Sequence, residues 1–333
     1  MDSYIHEGDA MSSFSISVPS KTFLSGEYLA LLDGPAILIG SQPRFVHKFD
    51  LNEDKEFYTN PIENEKDPLF QYWDENEDFL MDFDSEFMDP YDGEGGFGAS
   101  SAQWATYYAF VNQYHNSIKN LFDKSKNEND FLKNLDFQFI EEFLNKYRSY
   151  SKSKFPPSGY DVISQWTGKL TYIDIKNKVI KRLDWPFNNL SFVLIKSSEK
   201  TLTHTHLEDL KQIPEKELRA CVAKVLKAIE EHDERLFVEG VRENYVTLSQ
   251  AGLVTPQAQR DIEKLLSHEY VLAAKGCGAL GADVFCAIVK TDHLAQFMNY
   301  ASNEGLNMVA TESQLSHGIE VKADFSSTTA TLH

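Results

Sequence analysis

The stretch Gly93-Glu94-Gly95-Gly96-Phe97-Gly98-Ala99-Ser100-Ser101-Ala102 decides the reading of this chain. Four glycines fall within six residues, two serines follow, and helix formers and aromatics run from Ala102 to Val111. Glycine permits the tight turn and lets backbone approach a ligand closely. Ser100 or Ser101 can cap the helix that starts there. The free N–H groups and partial positive charge of a helix start suit a phosphate. The stretch reads as a phosphate cradle, although a glycine linker ahead of an ordinary helix would present the same residues. Gly93, Gly95 and Gly98 match G-x-G-x-x-G, but the loop comes late in the chain and the region around Ile118 and Lys119, where a dinucleotide site needs an acid, has none. No lysine followed by serine or threonine closes the loop, so the Walker pattern is absent too.

Composition narrows the classes further. The 333 residues suffice for one large or two medium domains, and 42% hydrophobic content supports a core. With 51 acidic against 32 basic side chains, the net charge of −19 argues against nucleic acid and against anionic membrane surfaces as partners. A phosphate would need local lysines, loop amides or a metal. Cys221, Cys277 and Cys286 form no C-x-x-C pair, so neither a disulfide framework nor a zinc site is expected. Met1 to Ser13 lacks the apolar region of a signal peptide, and no apolar run reaches the roughly 18 residues of a membrane span. A cytoplasmic protein is expected.

Outward from the loop, alternation predicts strands at Phe14–Val18, Ala36–Ile39 and Arg44–Leu51, with Pro19-Ser20-Lys21 breaking the first, as the edge of an antiparallel sheet. Residues 52–92 are acidic with interleaved aromatics and read as a surface excursion. A calcium site at Asp82, Asp84 and Asp89 lacks the glycine and terminal glutamate of an EF-hand loop, so a solvated acidic face is the reading kept. Helices are predicted over 100–123 and 129–148, and a hairpin over 170–183. Asp184-Trp185-Pro186 marks a boundary, giving domains 1–187 and 188–333. The second half reads as a strand at 191–195, helices at 204–212, 215–232, 235–250, 255–267 and 292–304, and strands at 270–274, 284–289, 307–310 and 319–321. The class is α+β. His204 and His206 match no metal spacing and read as surface histidines.

Four segments in order resemble the GHMP small-molecule kinases. Pro19-Ser20-Lys21-Thr22-Phe23-Leu24-Ser25-Gly26-Glu27-Tyr28 is similar to that family's first motif, and Gly96-Phe97-Gly98-Ala99-Ser100-Ser101-Ala102 to its phosphate loop. Pro157-Ser158-Gly159-Tyr160-Asp161 resembles the segment with the catalytic aspartate, and Lys275-Gly276-Cys277-Gly278-Ala279-Leu280-Gly281-Ala282-Asp283 the third, glycine-rich motif. The resemblance implies an N-terminal domain with a left-handed βαβ element, a ferredoxin-like C-terminal domain, and phosphoryl transfer from ATP to a small-molecule hydroxyl between them. It implies that Gly95, Gly96, Gly98, Ala99, Ser100, Ser101 and Ala102 bind the nucleotide, with Ser100, or Ser101, on Mg²⁺. Asp161 would take or orient the acceptor's proton, and Lys21 would compensate charge on the moving phosphoryl group. Lys21, Glu27, Tyr28, Ser158, Gly159, Gly278, Ala279 and Asp283 would contact the acceptor.

The chain also departs from that pattern. Tyr150 stands eleven residues before Asp161, where mevalonate kinases have a metal-binding glutamate; Glu141 or Glu142 would then substitute, or ATP and serine would hold the metal. Cys277, Leu280 and Ala282 replace small residues or glycines, and Leu280 is expected to crowd a backbone–phosphate approach. Gly26-Glu27-Tyr28, Ser158-Gly159-Tyr160-Asp161-Val162 and Asp283 look more like the phosphomevalonate kinase branch than the mevalonate kinase branch. Lys152, Lys154, Lys196, Lys200 and Arg44 are candidates for a phosphorylated acceptor. A non-catalytic metabolite-binding relative and an ATP-dependent decarboxylase relative stay open, as do monomer and homodimer.

Overall fold

In the computed structural model the described residues are 9–51, 60–62, 65, 67–114, 137–151, 156–197, 213–278, 280 and 283–327. The alternation of Phe14, Ile16 and Val18 buries one face of a strand, as expected, but that strand, β1, runs from Asp9 to Ser25. Pro19-Ser20-Lys21 does not end it. Pairing with β2 (Ala36–Leu51) shifts from Pro19↔Arg44 to Ser20↔Ser41, so Gln42 and Pro43 bulge and one bent strand stands where two were expected. A bulge removes the need for the ladder donor that proline lacks. β1 is interior, not an edge: the sheet order is β10-β1-β2-β4-β5, with β3 (Phe83–Met88) also on β2. β3 pairs with Val46–Leu51 and β4 (Leu170–Asp174) with Ala36–Ile39, both antiparallel, along one edge of β2. β5 (Val179–Leu183) completes the expected hairpin with β4.

Between β3 and β4 lie α3 (Ala99–Tyr114), α4 (Phe137–Ser149) and α5 (Tyr160–Thr167), with α1 (Pro68–Glu75) and α2 (Glu77–Leu80) preceding β3. Residues 115–123 and 129–136 of the expected helices lie outside the described residues. α3 shows almost no amphipathic pattern because it is buried all round. Phe110 stacks on Phe49 at 3.9 Å between ring centroids, facing the sheet, while Trp104 meets Tyr147 of α4 at 4.9 Å. The glycine loop therefore leads into a helix packed between the sheet and α4, which fixes where its first turn points.

The second sheet has the order β7-β8-β6-β9, antiparallel throughout. Its strands are β6 (Leu190–Lys196), β7 (Val271–Cys277), β8 (Val284–Lys290) and β9 (Asn307–Thr311). α6 (Glu215–Glu231), α7 (Glu234–Gln250) and α8 (Pro256–Leu266) connect β6 to β7, and α9 (Leu294–Asn303) connects β8 to β9. This is the expected ferredoxin-like arrangement. Local capping sets two helix starts: Asp233 accepts from Leu236 N at 2.9 Å, and Thr255 from Ala258 N at 3.1 Å ahead of Pro256. β10 (Glu320–Ser327) leaves this unit and pairs with β1 from Asp9↔Ser327 to Ser17↔Glu320. The helix expected at 204–212, with His204 and His206, lies outside the described residues.

His47, unremarked in the sequence, is fully buried beneath α3, its Nδ1 2.9 Å from Thr106 Oγ1 and its ring 4.6 Å from Tyr107. Thr106 Oγ1 donates to Ala102 O at 2.9 Å, in the helix's first turns. Burial pulls the imidazole from 6.5 down to about 3. The unfolded chain binds this proton between those values and the native protein does not. Stability from a neutral His47 is therefore present above about pH 6.5 and lost as pH falls toward 3, by up to about 5 kcal/mol. Thermal melts from pH 7 to 4 should show a steep acid loss that His47→Gln flattens. Equal slopes in both proteins would exclude this role.

Candidate active site

The glycine loop is built from its flanks inward. Asp89 accepts from Tyr91 N at 2.8 Å and Gly93 N at 3.0 Å, turning the chain out of β3. That use, and the absence among the described residues of any group of three or more acids, histidines or cysteines fit for a metal, leaves the calcium reading without support. Tyr91 stacks on Phe97 at 4.3 Å and donates to Ser20 Oγ, which donates to Pro43 O at the bulge. Lys21 N donates to Phe97 O at 2.9 Å. The loop is thus pinned to β1 at Lys21.

Gly98 has φ +92, and a Cβ there would lie 2.8 Å from Lys21 Cγ and 2.9 Å from Cε, so backbone conformation and space both demand glycine. Its carbonyl accepts from Ala102 N, Ser101 Oγ and Gln165 Nε2, closing the first turn of α3. Ser101 is buried and its hydroxyl spent there, whereas Ser100 is exposed at the loop. Ala102 differs from the expectation: it is buried and its amide is used inside the helix. Gly96 lies against Asp283 and Val284, since a Cβ on it would come within 3.0 Å of both. The loop therefore touches both sheets.

Asp161 stands in the first turn of α5, and its Oδ2 is 3.1 Å from Lys21 Nζ. Its Oδ1 is shielded from water and has no hydrogen-bond partner among the described residues. The turn before it is held from below. Arg148 reaches Asp33 with both nitrogens, at 2.6 and 3.3 Å, and donates to Ser158 O at 2.8 Å. Tyr160 donates to Gly34 O at 2.7 Å. Gly159, at φ +78, packs where a Cβ would strike Leu144 Cδ2 at 2.3 Å. Arg148 was not singled out in the sequence; a lysine- and arginine-rich helix end looks the same whether or not one member is used.

Across the cleft, Glu27 is buried and ion-paired with Lys275, 3.1 Å away. Lys275 is wholly buried and also donates to Gly276 O at 2.6 Å. Burial works against its ammonium, and the Glu27 carboxylate outweighs it, holding Lys275 above the ordinary lysine range. A lysine inside the apolar run of β7 was the available signal, because such a charge requires a partner. Tyr28 accepts from Leu280 N at 2.9 Å, and burial pushes its phenol up to about 12. Leu280 does not crowd the cleft as expected: it adopts φ +59, and its backbone is tied to Tyr28 and Thr255. Cys277 borders the cleft as a free thiol that burial raises to about 11, hence protonated. Ala279, Gly281 and Ala282 lie outside the described residues.

These pieces enclose a cavity of about 560 Å³. Lys21, Asp161, Ser158, Glu27, Tyr28, Gly278 and Asp283 line it with the glycine loop. Gly159 supports the wall without lining it. Glu141 instead pairs with Lys178 at 2.8 Å, Glu142 accepts from Gln138, and Tyr150 bonds Glu75, so none of these three borders the cleft. Arg44 is spent on Ser17, Ser316 and the carbonyls of His317 and Gly318, where it ties β1 to the approach of β10. Lys196 pairs with Glu94 and lines an adjoining cavity of about 500 Å³. Lys152, Lys154 and Lys200 lie outside the described residues. No helix among the described residues is long and apolar enough to cross a membrane.

No family model and no curated protein matches the chain. Solved structures do. The Streptococcus pneumoniae phosphomevalonate kinase in complex with phosphomevalonate and AMPPNP superposes with a TM-score of 0.65 at 15% identity, covering 89% of this chain and 98% of that one. The Lactococcus lactis galactokinase complexed with galactose gives 0.67 at 13% identity, with 92% and 95% covered. The Methanococcus jannaschii mevalonate kinase gives 0.61 at 12%, with 91% and 98% covered. The chain has the α+β, two-sheet fold of the GHMP kinases, and identities this low carry the likeness no further than the fold.

Proposed function

We propose that this cleft transfers the γ-phosphoryl group of ATP to an alcohol or phosphate oxygen of a small molecule. The observation that carries the reading is the Lys21–Asp161 pair, 3.1 Å apart, beside a glycine loop that opens a helix. Phosphoryl transfer asks mainly for positioning and charge neutralisation. The loop suits the polyphosphate because Gly98 leaves its backbone bare and the first amides of α3 lack intrahelical partners. Asp161 holds the acceptor hydroxyl and takes its proton. Lys21 offsets the negative charge gathering on the transferred group. The donor set fits Mg²⁺ carried mainly by the nucleotide's oxygens, with the exposed Ser100 hydroxyl as the protein ligand. When bound, Mg²⁺ would supply charge neutralisation on the phosphates.

For the acceptor, the motif similarities favour phosphomevalonate. One feature favours mevalonate: among the described residues Lys21 is the sole basic side chain lining the cleft, against Glu27, Glu94, Asp161 and Asp283. ADP release from Mg·ATP, with mevalonate and 5-phosphomevalonate offered separately, tests both. Turnover of neither, with ATP still bound, would leave a metabolite-binding protein instead. Orthophosphate release alongside ADP would indicate a decarboxylase. Arg148→Ala, which frees the Ser158 carbonyl and Asp33, should lower kcat about tenfold by loosening the Asp161 turn, with KM for ATP unchanged. An unchanged kcat would show that the Arg148 clamp does not position Asp161.

A further inference from the structure

The metal-binding glutamate expected near Asp161 is replaced by Tyr150, which turns away to Glu75. One helical turn earlier on α4, Tyr147 does border the cleft, beside Ser158 and Asp161. Its ring is fixed on three sides: Trp104 lies edge-on at 4.9 Å, Phe143 stacks at 5.4 Å, and Gly159 approaches so closely that a Cβ there would be 3.5 Å from Tyr147 Cδ1. The side chain is 9% exposed, yet no hydrogen bond engages its hydroxyl among the described residues. This donor, held rigid and unused, lines the same cleft as the Asp161 carboxylate, whose side chain is one-third exposed there. Burial, and then the charge of Asp161, push the phenol well above its ordinary range, so Tyr147 stays a protonated donor.

One donor and one anionic acceptor make the complement of an alcohol. An alcohol oxygen accepts one hydrogen bond and gives its own proton to another. A phosphate monoester near neutral pH carries about −1.5 to −2 charges and offers mainly acceptor oxygens, so it has little to give Asp161 and is repelled by it. We propose that Tyr147 positions the acceptor: its phenol donates to the acceptor hydroxyl oxygen while that hydroxyl donates to Asp161, which makes the cleft selective for an alcohol over a phosphate. This rests on the phosphoryl-transfer reading. The step balances as formation of the acceptor O–Pγ bond, cleavage of the Pγ–O bond to ADP, and passage of the hydroxyl proton to Asp161.

The test compares wild type and Tyr147→Phe with Mg·ATP and, separately, mevalonate, homoserine, galactose and 5-phosphomevalonate. Wild type should use an alcohol and not 5-phosphomevalonate. Tyr147→Phe keeps the ring packing and should raise the alcohol's KM by about tenfold or more, with kcat changed less and KM for ATP unchanged. KM within twofold of wild type, or preference for 5-phosphomevalonate, overturns the proposal alone. No turnover of any acceptor overturns the kinase reading and this proposal with it. Should the variant fold poorly, 5-deoxymevalonate tested as a competitive inhibitor of wild type decides: binding at least tenfold weaker than mevalonate supports the paired recognition, and equal binding overturns it.

Discussion

Asp161→Asn should reduce kcat by about 10² to 10⁴ while leaving ATP affinity within a few fold. The asparagine keeps the shape of the side chain and cannot take a proton from the acceptor. Lys21 would lose a charged partner 3.1 Å away, but Asp161 is one-third exposed, so the cost to stability should stay below about 1 kcal/mol. The decisive readings are single-turnover ADP formation and nucleotide affinity measured separately. A variant within twofold of wild type in kcat would remove Asp161 from the chemistry and with it the proposed reaction. Loss of ATP binding instead would mean that the Lys21–Asp161 pair shapes the glycine loop, to which Lys21 is joined through Phe97 O.

The second large effect concerns stability. Glu27→Ala should cost about 3 to 5 kcal/mol, because it leaves the Lys275 ammonium buried without its counter-charge. A chain of this size should then melt lower by about 4 to 7 °C. The double variant Glu27→Leu with Lys275→Met should recover most of the loss, since two apolar groups of similar volume need no pairing. Lys275 is held above its ordinary 10.5, so the pair's contribution is present below that pH and fades only as pH rises through the raised value. The deficit of Glu27→Ala should therefore be the same at pH 6 and pH 9. Melting temperatures within 2 °C of wild type for the single variant would show that water or another group reaches Lys275.

How much of this was legible depended on whether a residue's neighbours are near it in the chain. The glycine loop, the hairpin at 170–183 and the strands of the second half follow from local signals: glycines at positive φ, period-two alternation, caps such as Thr255 before Pro256. The roles of Lys21 and Asp161 came from resemblance and not from spacing, because 140 positions separate them and the packing of α5 on β1 brings them together. Pro19 read as a break, and β2 as two strands, because a bulge on one strand is invisible without its partner. His47 and Lys275 escaped for the same reason. Lys275 is the single charged residue of an apolar strand and His47 one of several polar residues in β2, and the meaning of each lies in what folds over it.

β10 gives the chain a vectorial problem during synthesis. β1 is made first, yet the strand that covers its outer edge, Glu320–Ser327, is made about 300 residues later. Until then β1 presents unpaired amides and carbonyls to anything extended nearby. At about 5 to 20 residues per second, that interval lasts some 15 to 60 seconds on the ribosome. The nascent first sheet should therefore bind chaperones that recognise open strands and should be digested readily in ribosome-stalled chains that stop short of residue 320. A C-terminal fusion that hinders β10 would weaken the half of the molecule made at the opposite end of the chain.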